Sequence, residues 1–381
     1  MNDNRLKQLE RLGQSIWLDY IRRDLITSGE LLRLIEEDGL SGMTSNPAIF
    51  EKAITGSHDY DGDIQAMAHE GKGPKDIYEA ISQGDVQNAA DAFWPRYNET
   101  SGKDGYVSLE VNPHLAHDTK GTLEEARRLW ADLGRPNILI KVPGTVEGLP
   151  AIQQLISEGI NVNVTLLFGV PRYRQVAEAY IAGLEARRSM GKTLDHMASV
   201  ASFFVSRIDA HVDPLLVPIL AQGAGGAMLA REAQGQVAVA SAKVAYLAFK
   251  ELFGSQRFLE LAEAGARVQR LLWASTGTKN PLYSDVKYIE TLIGPDTVNT
   301  IPVDTLTAFR DHGVATTSLD KDVAKAARVM GHLGDLGINI DQVTQQLEDE
   351  GVEKFNKPFD TLMETLTQRS RGVAPVPAHR A

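Results

Sequence analysis

The chain has 381 residues, 43% hydrophobic and 23% charged, with 33 Gly against 16 Pro, an ordinary globular composition that excludes collagen, coiled coil and intrinsic disorder. It contains no Cys, which removes disulfides, thiolate metal sites, iron–sulfur clusters and cysteine nucleophiles together and suits a reducing compartment. Thirty-nine Lys and Arg against 50 Asp and Glu leave a formal charge of −11, which disfavours nucleic acid or an anionic membrane as partner.

From the N-terminus, MNDNR is followed by no apolar signal core, and no later stretch reaches the roughly 18 unbroken apolar residues of a membrane span. A cytoplasmic protein is expected. Short β-like runs then alternate with amphipathic helical stretches, the sign of parallel βαβ units. The runs are 15–20 (SIWLDY), 39–45 (GLSGMTS), 106–111 (YVSLEV), 137–142 (NILIKV), 161–168 (NVNVTLLF), 199–208 (SVASFFVSRI), 270–275 (RLLWAS) and 298–301 (VNTI). Eight strands in this order favour a closed (β/α)8 barrel over an open sheet.

Between the third and fourth strands, Thr122-Leu-Glu-Glu125 has capping-box spacing, so a helix is expected to start there. Leu123, Ala126, Leu129, Trp130 and Leu133 share its apolar face, and Gly134 supplies a left-handed cap. Residues 213–254, rich in Ala and Gly, read as a helical insertion between strands six and seven, and 320–370 as C-terminal helices ending in FNKPFDTLMETL. With no internal repeat and no linker, residues 1–370 are expected to form a single barrel domain, with 371–381 as a disordered tail.

Strands of a parallel barrel are buried on both faces, so a polar group near a strand's C-terminal end is costly unless it serves the mouth where barrel active sites lie. Several strands carry one: Asp19, Thr44 with Asn46, Glu110, Lys141, Asn163 with Thr165, and Ser202 with Arg207. Lys141 stands among Ile138, Leu139, Ile140 and Val142 with no acidic neighbour in sequence. Either it reaches out to solvent, or it is buried, where loss of solvation favours the neutral amine and makes a lysine able to attack a ketone carbonyl. Asp19 and Glu110 are likewise either barrel-lining ion-pair partners or the proton-transfer groups that imine chemistry requires.

Six segments together resemble the transaldolase family: GMTSNPAIF (42–50), SLEVNP (108–113), ILIKVPGT (138–145), NVNVTLLF (161–168), SFFVSRID (202–209) and STGTKNP (275–281). They stand in the family's order, and FNKPFDTLMETL extends the likeness towards the C-terminus. The resemblance implies a (β/α)8 barrel and a reaction without metal or organic cofactor. In it a dihydroxyacetone unit passes from sedoheptulose 7-phosphate to glyceraldehyde 3-phosphate, giving erythrose 4-phosphate and fructose 6-phosphate in the pentose phosphate pathway. By motif, Lys141 would form the Schiff base, Asp19 would exchange the C4 hydroxyl proton, and Glu110 with Thr165 would hold a catalytic water. Asn46, Asn163 and Ser202 would bind the dihydroxyacetone hydroxyls, with Thr44 supporting them, while Arg207 and Lys279 would bind phosphate.

The sequence departs from the shorter family members at Phe203 and Ser206, where many carry Pro and Gly, and in the longer 213–254 connection. Three alternatives remain. A fructose 6-phosphate aldolase of the same superfamily is disfavoured by Glu110, where the resemblance implies that aldolases carry Tyr. A non-catalytic sugar-phosphate sensor is disfavoured by the intact Lys141, Asp19 and Glu110, and a metal-dependent aldolase by the scatter of the nine His. Residues 186–193 (ARRSMGKT) resemble a Walker A loop but end a helical run instead of following a strand. His114, His117 and Asp118 follow Pro113 on an expected loop rather than at metal-ligand spacing. The sequence favours neither monomer nor homodimer.

Overall fold

The computed structural model describes residues 4–223 and 226–371. Eight parallel strands close in chain order into a barrel: β1 (Gln14–Asp19), β2 (Gly42–Thr44), β3 (Tyr106–Glu110), β4 (Ile138–Pro143), β5 (Val162–Leu167), β6 (Ser199–Phe204), β7 (Arg270–Ala274) and β8 (Thr297–Ile301). β8 pairs back onto β1, so the barrel has no free edge. This is the (β/α)8 architecture that the alternating runs predict.

Helices surround the barrel, and the chain adds Arg5–Arg11 before β1 and Val323–His332 and Ile340–Arg371 at the C-terminal end. Between β6 and β7 stand Ser206–Gln222, Gly226–Ala233, Val237–Phe253 and Gln256–Glu263, so the 213–254 stretch is largely helical. Arg371 ends the last helix instead of opening a tail, and the rest of the expected tail lies outside the described residues. Among the described residues no helix is long and apolar enough to cross a membrane.

Three local expectations are corrected. The helix expected at Thr122 begins at Thr119, because Asp118 is the cap and accepts the Gly121 N–H at 3.0 Å. Thr122 instead donates to the Leu115 carbonyl, and Glu125 accepts from the Asn112 amide, which fastens the turn after β3. The Gly134 cap is left-handed as its residue type requires. The second strand is shorter than 39–45, since Gly39 at φ 72° caps the preceding helix. The sixth strand stops at Phe204, and Val205 adopts helical angles so that Ser206–Gln222 can begin; Arg207 therefore lies in the first turn of a helix.

Buried polar groups tie the N-terminal half of the barrel together. Asp104, just before β3, accepts from Ser15 Oγ at 2.6 Å and Trp17 Nε1 at 3.1 Å, and it pairs with Arg270 at 2.9 Å. Both charged side chains are almost fully buried, so each relies on the other. Gly42, opposite Trp17 in register, leaves room for the indole: a Cβ there would stand 2.6 Å from the ring. Replacing Arg270 by Met strands the Asp104 carboxylate and is expected to lower the unfolding free energy by about 3–5 kcal/mol. Urea denaturation measures this, and an unchanged midpoint would show that the pair contributes nothing.

Candidate active site

The C-terminal ends of the strands surround a cavity of about 490 Å3, lined by Asp19, Thr44, Asn46, Lys141, Thr165, Ser202, Arg207 and Lys279. Sequence residues scattered over 260 positions thus meet at one mouth, because parallel strands bring all their C-terminal ends to the same face. Glu110 and Asn163 stand behind the cavity wall. In register across adjacent strands, Glu110 faces Lys141 and Lys141 faces Asn163.

Lys141 is 5% exposed and Glu110 6%, so the solvent-reaching lysine is ruled out. The Lys141 ammonium Nζ donates to the Ser45 carbonyl at 3.1 Å and lies 3.3 Å from Glu110 Oε2. The Phe355 ring covers it, with the centroid at 5.4 Å. Neither carboxylate oxygen of Glu110 makes an aligned hydrogen bond. Burial pushes the Glu110 carboxyl up to about 7 against the opposing pull of Lys141.

Asp19 ends β1 opposite Thr44 of β2, whose hydroxyl donates to Asp19 Oδ1 at 2.8 Å and lies 2.7 Å from Thr300 Oγ1 of β8. Burial raises the Asp19 carboxyl, while Lys141, the Thr44 bond, Arg207 and Lys279 draw it back. Asn46 is fixed as the N-cap of helix Pro47–Thr55, its side-chain oxygen accepting the Ile49 N–H at 3.0 Å. Asn163 donates to Ser108 Oγ at 3.0 Å and accepts from Ser202 Oγ at 2.7 Å, a chain that orients all three side chains.

Thr165 reaches the wall through an irregular strand. The pairing of β5 with β6 shifts between Val164 and Leu167, and Leu166 holds a left-handed φ of 61°. Such bulges re-aim side chains beside active sites, and a non-glycine residue there carries strain that the packing must hold. Gly351 of the C-terminal helix permits this packing, since a Cβ on it would come within 3.0 Å of the Leu166 side chain. The Thr165 hydroxyl is buried and has no protein partner.

The rim is basic. The Arg207 guanidinium lies over Phe204 at 5.3 Å, its Nη1 has no partner, and burial lowers its pKa while Asp19 and Glu350 oppose that shift. Lys279 sits in the loop after β7, and its pKa is lowered by partial desolvation and then by the charge of Arg207. The residues that departed from the family pattern lie nearby. Phe203 packs edge-on against Trp273, and Ser206 bonds through its amide to the carbonyl of Ser275, a residue of the cavity lining.

Residues 186–193 span a helix end and the following turn, and His114 and His117 are drawn into separate pairs with Asp360 and Glu147. Sequence reading missed Phe355, Lys354 and Lys52, which also line the cavity. Phe355 opens the FNKPFDTLMETL motif, but nothing in its spacing shows that helix Ile340–Arg371 crosses the barrel mouth.

A family model described as Transaldolase/Fructose-6-phosphate aldolase matches residues 16–366. The chain belongs to this family. It is 49% identical over 380 residues to a Transaldolase of Trichodesmium erythraeum, covering 99% of this chain and 100% of the relative. It is 48% identical over 381 residues to Transaldolase 2 of Nostoc punctiforme, with the same coverage. A Transaldolase of Thiobacillus denitrificans is 45% identical over 360 residues, 94% of this chain and 99% of its own.

The raised Glu110 carboxyl has a thermodynamic consequence for this transaldolase-family barrel. Between its ordinary 4.5 and about 7, the folded state holds a proton that the unfolded state has lost, so the contribution of Glu110 to stability falls as pH rises through that window. The Glu110→Gln variant lacks this titration. Urea denaturation across the window should show wild type losing stability relative to the variant with rising pH, and a pH-independent difference would contradict the raised carboxyl.

Proposed function

We propose that this chain is a transaldolase that transfers dihydroxyacetone from sedoheptulose 7-phosphate to glyceraldehyde 3-phosphate, in the cytoplasm and without a metal or organic cofactor. The observation that carries this reading is the burial of Lys141 beside Glu110, below a cavity that also holds the Asp19 carboxylate and a basic rim. Whole-length likeness to relatives named Transaldolase supports it.

In the proposed reaction the Lys141 amine adds to the ketone carbon of the donor, forming a carbinolamine. Loss of water, with the carbinolamine oxygen taking up a proton, gives the iminium. Glu110, with a carboxyl near pH 7 and no aligned protein partner, and Thr165, with an unpartnered hydroxyl, suit a bridging water for these transfers. Asp19 then takes the C4 hydroxyl proton, the C3–C4 bond breaks, and its electron pair moves into the iminium to leave an enamine and an aldehyde. The acceptor aldehyde reverses these steps, the enamine carbon attacking its carbonyl while Asp19 returns the proton to the new hydroxyl. Hydrolysis of the iminium frees the product and restores Lys141.

Asn46 and Ser202 hold the dihydroxyacetone hydroxyls in this scheme, Asn163 orients Ser202 from behind the wall instead of reaching the substrate itself, and Thr44 orients Asp19. Arg207 and Lys279 hold the phosphate, a role favoured by the unpartnered Arg207 Nη1. Glu110 supports transfer over simple aldol cleavage, since the aldolase relatives would carry Tyr there.

Incubation with fructose 6-phosphate alone, followed by borohydride, should leave a three-carbon adduct on Lys141 that Lys141→Arg abolishes. No adduct on a folded, sugar-binding protein would overturn the imine route. Asp19→Ala should still form the donor imine while transfer falls by about 10²–10⁴-fold, the usual contribution of a proton-transfer group. Unchanged transfer kinetics in that variant would remove Asp19 from the mechanism.

A further inference from the structure

We infer that the N-terminal end of the barrel carries a second binding site, suited to an organic anion with one carboxylate or phosphate head on an apolar body. A cavity of about 400 Å3 opens beside the first residues of β3, β6 and β7, at the end of the barrel opposite the Lys141 mouth. Its volume falls within the range of about 300–1,000 Å3 typical of small-molecule sites. Ala198 and Val268, partly exposed, give it an apolar wall backed by the buried Tyr106, Leu139 and Val200, and Lys103, Arg267 and Arg270 supply cations. Sites for small molecules combine these two elements: mostly apolar surface with a few placed polar groups.

The charges around this cavity do not cancel. Arg270 is matched by the buried Asp104 carboxylate at 2.9 Å, and Lys103 stands 3.8 Å from Asp296. Arg267 has no carboxylate partner among the described residues. It donates to the Gly102 carbonyl and to the Ser101 carbonyl, the latter at 2.7 Å. Carbonyls satisfy individual N–H groups without neutralising the guanidinium, and five donors leave others free for a planar anion. One uncompensated cation thus faces an apolar hollow in a chain whose net charge is −11.

The backbone at the rim points the same way. Ser101 and Asp296 both hold left-handed φ, 52° and 54°. Non-glycine residues in this conformation gather at functional sites, where packing holds the strain. At the catalytic mouth of the same barrel, Leu166 and Ser275 do so, at 61° and 54°.

Anilinonaphthalene sulfonate, an anionic head on an aromatic body whose fluorescence rises in apolar surroundings, is the probe for this site. The full chain should bind one dye saturably, and saturating fructose 6-phosphate should not displace it. Arg267→Ala should weaken binding by about tenfold or more, the loss of one charge-assisted hydrogen bond. Since Arg267 also holds the 101–102 turn, Lys103→Glu is the second variant. It reverses an exposed charge at the rim, keeps the backbone bonds, and should weaken the dye severalfold even if Arg267→Ala does not fold. Absence of saturable binding, displacement by fructose 6-phosphate, or unchanged affinity in Lys103→Glu would overturn the inference. These outcomes are independent of the transaldolase reading, which is tested by the Lys141 adduct at the other end of the barrel.

Discussion

The ion pair between Lys141 and Glu110 is the constraint around which the site is organised. A parallel barrel is buried on both faces, so a charge on the middle of β4 must be compensated from neighbouring strands. The register of β3 with β4 supplies Glu110, and the Ser45 carbonyl supplies one acceptor. The compensation is incomplete, since the 3.3 Å contact is poorly aligned and neither Glu110 oxygen has another partner. A fully satisfied lysine would be a structural strut; this one stays beside a cavity with a carboxyl that can gain or lose a proton near neutrality.

The neighbouring features hold this arrangement in place and shield it. Thr44 fixes the rotamer of Asp19, and Ser202, Asn163 and Ser108 form a hydrogen-bonded chain that orients the polar wall. Helix Ile340–Arg371 brings Phe355 over the Lys141 ammonium. It is anchored away from the mouth by the pairs of Asp360 with His114 and of Arg369 with Asp61. Lys52, Arg207, Lys279 and Lys354 place cations around the opening of an otherwise acidic protein, an arrangement suited electrostatically to an anionic ligand.

Much of the barrel was legible because its signals are local. Runs such as NILIKV and NVNVTLLF are apolar enough to be buried on both faces, and all eight strands fall within a few residues of their expected places. The misplacements have local causes too. Thr122 has the spacing of a cap, but Asp118 meets the free amide first, and the turn after β3 claims the Thr122 and Glu125 side chains. The run SFFVSRI has the composition of a strand to its end, yet the chain turns at Val205, which moves Arg207 from a strand onto a helix at the rim.

Residue chemistry and motif order alone determined the architecture class, the likeness to transaldolases and the identity of the candidate lysine and carboxylates, because polar groups stranded in apolar runs stand out without coordinates. Tertiary structure decided which of two readings Lys141 takes. Its burial and its partner Glu110 depend on strand register, which no spacing along one strand reveals. Tertiary structure also placed Phe355 over a lysine more than 200 positions earlier and left Arg267 facing an apolar hollow. Both depend on long-range packing, whose physical consequences appear only when distant segments share one surface.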